Sequence, residues 1–302
     1  MKHLSNEEYA ASKYIELTVE KETTLLEFLM TALNGISRNK AKDILAGNGV
    51  KVNRKATTRF DEPLKPGFVV QVSRHKRSTT LKNQYVRIVY EDKDLVVVEK
   101  NEGILSMPST AKQYSVKKVL DEYFEKRHFK CRAHTVHRLD RETSGLMIYA
   151  KSIEVAQMFE ADWHNIVYDR RYLAVVDGEV EQEGGTVKSW LKDNKAFITY
   201  SSPEDNGGKY AVTHFRVLQK TPRFSLLELK LETGRKNQIR VHMQDIGHPV
   251  VGDFKYGKGL GPVGRLCLHA YRLHFFHPRT GERMEFETPC PKEFKKLVEI
   301  NS

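Results

Sequence analysis

The segment HRLDRETSGLMIYAKS, residues 137–152, places a single carboxylate among cations and then changes into an apolar run. Asp140 lies between Arg138 and Arg141, and Thr143 to Gly145 precede the apolar residues. An isolated acid of this kind can form a surface ion pair, bind a metal, belong to a hydrolase triad or act alone as a nucleophile. The rest of the sequence has to distinguish these four kinds of chemistry.

A metal site is the first alternative, because the segment CRAHTVH places Cys131, His134 and His137 close together. A structural zinc site needs four ligands, and a catalytic site uses three protein ligands and a water. A fourth ligand is not evident nearby, and Arg132 and Arg138 would put positive charge beside the cation. We therefore predict that the protein binds no metal here.

Two other motifs are incomplete. Ser144 does not stand in a G-x-S-x-G segment, so the nucleophile elbow of a hydrolase is not indicated, and we expect a turn there that starts a strand. Three glycines match G-x-G-x-x-G as letters, but the match contains Pro262 and is followed by the strand-like RLCLHAYRLHFF. Because a dinucleotide-binding motif follows a strand and opens a helix, we interpret residues 259–264 as a loop.

A second concentration of polar residues occupies LETGRKNQIRVHMQDIGHPVVGDFKYG, residues 231–257. Helical spacing predicts that Lys236 and Arg240 share one face, one turn apart, and that the helix ends at Gly247. A basic helix on the surface is one interpretation. The other is that this segment supplies a cation to a buried Asp140. The polar residues concerned are Arg235, Lys236, Asn237, Gln238, Arg240 and His242.

The overall charge indicates a polyanionic partner. The chain of 302 residues carries a formal net charge of +11 with a pI near 9.4, and nucleic acid is the usual partner of such a protein. The apolar runs are too short for a membrane span, and the N-terminus lacks the apolar segment of a secretory signal. Three widely separated cysteines are expected to be free thiols, so we expect a cytoplasmic protein.

The first part of the chain has the pattern of a small unit that handles RNA. Thr24 to Glu27 fits a capping box before one helix, and Ser37 is placed to cap a second. The second helix carries Arg38, Lys40 and Lys42, and short strands follow. This order resembles the α-L RNA-binding module shared with a small-subunit ribosomal protein. An ordinary small helical domain with solvated lysines is the alternative.

The pattern after Tyr85 is one of repeated short strands with helices between some of them, such as SVKKVLDEYFEKR and SIEVAQMFEADW. We therefore predict an α+β fold with a mixed, largely antiparallel central sheet flanked by helices. The predicted organisation is an N-terminal tail at 1–15, the α-L domain at 16–75, a basic linker at 76–84 and the main domain at 85–302.

Three motifs in order, HRLDRETSGLMIYAKS, RRYLAVVDG and TGRKNQIRVHMQDIGHPVVGDFKYG, resemble those of RluA-type pseudouridine synthases. The resemblance covers about residues 85–289. It implies the pseudouridine synthase fold and the isomerisation of uridine in RNA, with no cofactor. One departure stands out, since Asn237 occupies the position where the family usually has histidine.

The resemblance implies a role for each motif. Asp140 matches the essential aspartate, which has to be ionised, and Arg240 matches the cation expected to pair with it through its planar fork. Tyr172 matches the tyrosine that stacks on uracil and is a candidate to accept the proton of ring carbon 5. Arg138 would take the space of the extruded base. The other predicted RNA contacts are His137, Arg235, Gln238 and Ile239, and in the first unit Arg38, Lys40 and Lys42.

The expected partner is RNA, without an obligate protein partner or a membrane. Large-subunit ribosomal RNA is the preferred target, and tRNA is the alternative. A non-catalytic RNA-binding factor of ribosome assembly is the competing hypothesis of a different class. Asp140 could attack the ribose 1′ carbon, add to the ring or abstract the 2′ proton, and the sequence leaves these routes open.

Overall fold

The computed structural model describes residues 14–33, 35–46, 49–73, 81, 83–110 and 113–299. The first unit contains its own core, formed where two helices pack on a small sheet. As predicted, the Thr24 hydroxyl accepts the N–H of Glu27 at the first helix, and the Ser37 hydroxyl accepts the N–H of Lys40 at the second. Its elements are β1 (Tyr14–Thr18), β2 (Thr23–Thr24), α1 (Leu25–Ala32), α2 (Arg38–Ala46), β3 (Val50–Val52), β4 (Lys55–Thr57), β5 (Pro63–Leu64) and β6 (Val69–Ser73).

The remaining elements are eleven strands and five helices among the described residues, and the two helices expected between strands are both present. The strands are β7 (Val86–Glu91), β8 (Leu95–Lys100), β9 (His134–Thr135), β10 (Ser144–Ala150), β11 (Asp169–Asp177), β12 (Gly184–Asp193), β13 (Thr199–Ser202), β14 (Lys209–Lys220), β15 (Phe224–Leu231), β16 (Leu268–Phe276) and β17 (Arg283–Glu287). The helices are α3 (Val116–Lys126), α4 (Ile153–Ala161), α5 (Trp163–Ile166), α6 (Gln238–Asp245) and α7 (Lys292–Val298).

One large sheet runs through the described part of the chain. Its main path is β1-β6-β3-β4-β17-β16-β11-β15-β14-β12-β13, and β10 joins β16 to β8, which pairs in turn with β7. Only the β10–β16 and β4–β17 pairs are parallel among the described strands. The predicted α+β class with a mixed, largely antiparallel sheet is therefore confirmed.

The strand that follows the acidic loop is buried on both faces, which explains its continuous apolar sequence. Every residue of β10 is buried. Met147 and Tyr149 pack in the cluster that contains α3, whereas Leu146 and Ile148 pack in the cluster that contains α4. Two layers of helix thus enclose this strand and hold the start of β10 in one position.

The two faces of the sheet differ in the region of β11 to β14. His242 of α6 is hydrogen-bonded to Ser189 of β12 and Thr213 of β14, so α6 covers what we call the front face. Tyr172 is the cross-strand neighbour of Leu229, and Leu229 is in turn the neighbour of Phe215 in β14. Phe215 is two residues from Thr213, so Tyr172 also lies on the front face. Because side chains alternate along a strand, Leu173 points to the opposite side, which we call the back face.

The first unit is joined to the main sheet through β4. This strand pairs in parallel with β17, matching Ala56 to Met284 and Thr57 to Glu285. Two ion pairs flank the joint, Lys51–Glu282 at 2.8 Å and Lys55–Glu285. Most of the predicted linker, 76–80 and 82, lies outside the described residues. No helix of the described chain is both long and apolar enough to cross a membrane, and Cys131, Cys267 and Cys290 are free thiols, as expected.

Candidate active site

Asp140 lies on the loop between β9 and β10, and the backbone on its N-terminal side is fixed by a serine. The Ser106 hydroxyl accepts the N–H of Leu139 at 3.0 Å and donates to the carbonyl of Leu139 at 2.7 Å. Ser106 is 3% exposed, so these bonds are shielded from water. One buried hydroxyl therefore satisfies both backbone groups of the residue that precedes the acid.

The backbone on the C-terminal side is fixed by the loop after β8. The Arg141 carbonyl accepts the Lys100 ammonium at 2.9 Å and the N–H of Gly103 at 2.9 Å. Lys100 is fully buried and also donates to the Asn101 carbonyl. Burial lowers the pKa of Lys100 to about 8, although the negative charges of Glu142, Glu102 and Asp140 act in the opposite direction. The acidic loop is thus held on both sides of Asp140.

Because Lys100 is buried, we expect the free energy of unfolding to increase with pH in the alkaline range. The lowered folded pKa means that the unfolded chain binds more protons between pH 8 and 10.5, so the free energy of unfolding rises with pH in that window. We expect a contribution of about 2 kcal/mol between pH 7.5 and 9.5. Urea unfolding at both pH values checks it, and Lys100→Met should lack the rise. Parallel pH dependence in the two proteins would contradict this account.

The end of the loop enters β10 through a turn at 140–143. This turn lies earlier than the one predicted at Thr143 to Gly145, because Ser144 and Gly145 already belong to the strand. The N–H of Thr143 donates to the Asp140 carbonyl at 3.1 Å. Gly145 has a φ of +123°, and a Cβ there would lie 2.2 Å from the Ala270 carbonyl oxygen. A side chain is therefore incompatible with the parallel pairing of β10 and β16, and glycine is required two residues after the turn.

Arg240 faces Asp140, but its fork is bound to another carboxylate. The Nη1 atom is 3.6 Å from Asp140 Oδ2, whereas Nε and Nη2 each lie 2.7 Å from an oxygen of Asp253. The prediction that Asp140 receives the planar fork is therefore wrong in this respect. Asp253 takes the bidentate position because it is buried beside the helix, and Asp140 receives only the remaining edge of the guanidinium.

The Asp253–Arg240 pair is ionised throughout the neutral range. Burial alone would lower the pKa of Arg240, but the hydrogen bonds and charge of Asp253, aided by Asp140, raise it. Burial alone would raise the pKa of Asp253, but the bonds and charge of Arg240 keep it below its usual value. The side chain of Asp253 has no exposed surface, and that of Arg240 is 12% exposed. A permanent ion pair therefore presents one edge of a cation to Asp140.

Asn237 orients that edge. It is the N-cap of α6 in the left-handed region, with φ 54°. Its amide oxygen accepts Arg240 Nη1 at 3.0 Å, and its amide nitrogen donates to the Tyr256 hydroxyl at 3.0 Å. Asparagine suits this position because it tolerates the left-handed conformation and supplies both an acceptor and a donor.

The geometry around Asn237 predicts the effect of replacing it with histidine, the residue that the family usually has at this position. A neutral imidazole offers one acceptor and one donor and also tolerates a positive φ, so Asn237→His should keep the turnover rate within about five-fold. Asn237→Ala should lower it about ten-fold or more, because Arg240 Nη1 loses an acceptor. Single-turnover rates of both variants test this. A histidine variant as impaired as the alanine variant would show that the amide itself is required.

Lys236 does not belong to the helix with Arg240, contrary to the predicted spacing. The left-handed Asn237 starts α6 at Gln238, so Lys236 points away and pairs with Asp193 at 2.7 Å. Its ammonium also donates to the Phe197 carbonyl at 3.2 Å. Lys236 therefore ties the β12–β13 turn to the start of α6, while Arg240 alone reaches the acid.

A cleft of about 400 Å³ opens beside Asp140 and Tyr172 and continues into a recess of about 60 Å³ lined by Asp140, Tyr172, Ile239 and Arg240. Asp140 is 26% exposed toward this space, and Tyr172 is 5% exposed. Burial raises the pKa of Tyr172, and the charge of Asp140 acts in the same direction. The phenol is therefore neutral near pH 7 and forms an apolar wall next to the acid.

Apart from Ile239, which lines the recess, the predicted RNA contacts divide into three groups. Arg138 and Arg235 are exposed at the cleft, and Arg170, which the sequence did not single out, lies beside them. Gln238 and His137 are held by internal hydrogen bonds: Gln238 is 2% exposed and bonded to Thr213, Thr233 and the backbone, and His137 Nε2 accepts the N–H of Ile148 at 3.0 Å. Both nevertheless line the site, His137 at the cleft and Gln238 at the recess, while their hydrogen bonds support the surrounding loops. Arg38, Lys40 and Lys42 lie on α2, outside this site.

The position of His137 also bears on the zinc alternative. Burial and the charge of Arg170 lower the pKa of His137 to about 3, so the ring is neutral, and the Ile148 bond occupies Nε2. The ring centroid lies 5.2 Å from that of Trp163. The histidine is therefore packed against Trp163 and supports β10 through its Nε2 atom.

Three supporting residues could not be found from their local sequence. Lys100 ends the apolar strand β8, Ser106 lies in the loop after it, and Asp253 stands in a glycine-containing loop after α6. A weak signal existed for Asp253, since an acid in GDFKYG follows a segment with an excess of cations. Its pairing with Arg240 depends on the return of the chain from α6, which spacing alone does not predict.

Comparison with known proteins identifies the family of the chain. The family model described as RNA pseudouridylate synthase matches residues 94–245. The RNA pseudouridine synthase YjbO of Bacillus subtilis strain 168 is 35% identical over 87% of this chain and 95% of that protein. Ribosomal large subunit pseudouridine synthase D of Haemophilus influenzae is 33% identical over 87% and 86%, respectively. The solved structure of human RNA pseudouridylate synthase domain containing 1 matches with a TM-score of 0.56 and 27% identity, over 70% of this chain and 84% of that one. The chain therefore belongs to the RNA pseudouridylate synthase family, in its RluA-type branch, and is an isomerase that converts uridine in RNA to pseudouridine.

Proposed function

We propose that the substrate is large-subunit ribosomal RNA. The observation that carries this proposal is the similarity to the Haemophilus influenzae ribosomal large subunit synthase along most of both chains. An Escherichia coli relative with the same name is 32% identical over 87% of this chain. The net charge of +11 suits a large polyanion, which supports RNA in general rather than one RNA.

The geometry of the cleft supports a reaction on an extruded uridine. The target base has to leave its stack to reach an acid at the bottom of a cleft. Arg170 and Arg235 are placed at the cleft to contact phosphates, and the neutral ring of Tyr172 offers a stacking surface beside Asp140. We assign the space vacated by the base to Arg138, because it is exposed and adjacent to the catalytic loop.

The reaction balances without a redox partner. The bond between N1 and the ribose 1′ carbon breaks, a bond between C5 and that carbon forms, C5 loses a proton and N1 gains one. Asp140 in its ionised form can attack C1′, add to the ring or take the 2′ proton, and Arg240 lies close enough to stabilise its charge in each case. The raised pKa of Tyr172 opposes a role as phenolate base, so stacking is its better-supported role.

The first unit is proposed to add RNA affinity as an α-L domain. Arg38, Lys40 and Lys42 are exposed on α2, where they are available for phosphate contacts. The β4–β17 pairing attaches this helix to the catalytic sheet, so its contacts would fall at a defined distance from the cleft.

Pseudouridine mapping tests the proposed target. Total RNA from cells with and without the protein is compared, and the purified protein is then incubated with large-subunit ribosomal RNA and tRNA transcripts. We expect loss of one or more large-subunit sites in the cells and their restoration in the transcript. Modification confined to tRNA would overturn the ribosomal assignment. An unchanged map, with no modification of either transcript, would instead favour the non-catalytic assembly factor.

A further inference from the structure

A second cleft lies between the first unit and the back face of the catalytic sheet. It has a volume of about 580 Å³ and is formed by elements of both parts of the chain. Leu45 and Lys42 of α2 and the loop at Phe60 form one side, and Leu173 and Leu218 belong to the other. This volume is in the range of small-ligand sites in proteins. We call this space the interdomain cleft.

The interdomain cleft stands behind the active site, with one strand between them. Tyr172 and Leu173 are consecutive in β11, and their side chains point to opposite faces of the sheet. Tyr172 lines the recess that contains Asp140, and Leu173 lines the interdomain cleft. A ligand in this cleft therefore cannot touch Asp140, and the two sites are distinct.

The apolar part of the cleft is open to solvent. Phe60 is 42% exposed and Leu218 is 43% exposed. The ammonium of Lys42 lies 5.7 Å from the centroid of the Phe60 ring, so the ring already accepts a cation at one face. An exposed aromatic ring beside a cation is the combination that proteins use for stacking the bases of a single strand.

The charged part of the cleft has an excess of cations. Lys42, Arg59, Arg87 and Lys295 line it, against Asp61 and Glu287, and the Arg87 guanidinium is already paired with Glu99. Glu287 is paired with Arg272 at 2.9 Å, and the Arg59–Asp61 contact at 3.3 Å is exposed, so neither carboxylate neutralises Lys42 or Lys295. The balance favours an anionic group such as a phosphate.

The cleft also continues the basic surface of α2. Lys42 lines the cleft, and Arg38 and Lys40 are exposed on the same helix. A strand of RNA that contacts α2 would therefore be led toward the cleft and toward Lys295 of α7. Because the cleft is continuous with this basic surface, we infer that its occupant is a nucleotide within RNA rather than a free nucleotide.

We propose that the interdomain cleft binds one nucleotide of the substrate RNA, with its base against Phe60 and Leu218 and its phosphate near Lys42, Arg59 and Lys295. This nucleotide lies away from the target uridine, because the sheet separates the two sites. The RNA consequently passes around an edge of the sheet between them. The proposal rests on RNA being the substrate but is independent of which RNA is modified.

The test compares two double variants of the full-length protein. Phe60→Ala with Lys295→Ala removes the stacking ring and one cation, both on the surface. The control, Ile153→Ala with Lys93→Ala, removes an apolar residue 62% exposed and a lysine 81% exposed, both away from either cleft. Affinity is measured for large-subunit ribosomal RNA and tRNA transcripts over a range of salt concentrations, and melting curves verify that both variants are folded.

We expect the cleft variant to weaken binding of its cognate RNA about ten-fold and to reduce the salt slope by about one, with no change in the control. Transcripts containing 4-thiouridine should crosslink to the segment around Phe60. Unchanged affinity together with no crosslink there would overturn the proposal. Saturable binding of free UMP or GMP that the cleft variant abolishes, without an effect on RNA affinity, would also overturn it in favour of a free nucleotide.

These measurements separate this proposal from the ribosomal assignment. If tRNA rather than ribosomal RNA binds and is modified, the target assignment fails, but a weaker tRNA affinity of the cleft variant still supports the cleft. If ribosomal RNA is modified and the cleft variant binds it normally, the target assignment stands and the cleft proposal fails.

Discussion

Replacing Asp140 with asparagine is expected to lower pseudouridine formation by at least about 10³-fold while the Kd for RNA changes by less than about three-fold. The substitution keeps the shape of the side chain but removes its charge and its ability to act as nucleophile or base. The loop should keep its position, because Ser106 and Lys100 hold backbone groups of the residues on either side. Release of tritium from C5 of labelled uridine measures the rate in a single turnover, and filter binding measures the affinity.

The same loop supplies a matched control. Glu142 is 51% exposed, and its contact with Arg141 at 3.5 Å is an exposed ion pair, which contributes little to stability. Glu142→Gln changes the charge of the loop by the same amount and should alter the rate by less than about three-fold. If Asp140→Asn kept more than a tenth of the normal rate, or if both variants lost activity equally, Asp140 would not be the reacting group.

The architecture was predictable where the pattern was strongly apolar. Strands β7, β8 and β10 read as apolar runs because they are buried between helices, and each was predicted from its composition. Strand β12 was not predicted. It faces α6 on one side only, contains two glycines, and has Lys188 and Lys192 on its exposed side, so its sequence lacks the apolar content of a central strand.

The residues that line the candidate site were predicted from the sequence, but their mutual geometry was not. Asp140, Tyr172, Ile239 and Arg240 line one recess although they come from three separate segments of the chain. The sequence indicates an acid and a cation, and their opposite charges are sufficient reason to expect them to pair. The sequence does not indicate Asp253. Which carboxylate binds both arms of Arg240 depends on how the side chains are oriented in the folded protein. Similarly, the left-handed Asn237 changed the start of α6 and separated Lys236 from Arg240.

The shared cation explains how the site can place a positive charge beside its acid and still leave the acid reactive. A carboxylate bound to both arms of an arginine would have its lone pairs occupied by strong hydrogen bonds. Here Asp253 takes the fork, and Asp140 interacts with Arg240 across 3.6 Å, longer than a hydrogen bond. Asp140 therefore gains electrostatic stabilisation without losing its lone pairs, which leaves it available to the nucleoside.

This arrangement predicts that Asp253→Asn impairs catalysis at a distance from the substrate. Removing the charge of Asp253 leaves the buried Arg240 without its partner, and we expect Arg240 to bind directly to the neighbouring carboxylate of Asp140. We expect the turnover rate to fall about 100-fold or more, because the direct Arg240–Asp140 bond occupies the reacting oxygen. We expect the free energy of unfolding to fall by about 3 kcal/mol, and the Kd for RNA to change by less than about three-fold.

The control for this prediction is another acid near the start of α6. Asp193 is 38% exposed and pairs with Lys236, so Asp193→Asn should lower stability by less than about 1 kcal/mol and leave the rate nearly unchanged. The rate has to be measured well below the melting temperature of Asp253→Asn, so that unfolded protein does not account for the loss. An Asp253→Asn protein that is destabilised but turns over normally when folded would show that Asp253 supports the fold alone. A loss of turnover in the folded protein would instead establish that Asp253 positions Arg240 and keeps Asp140 free to react.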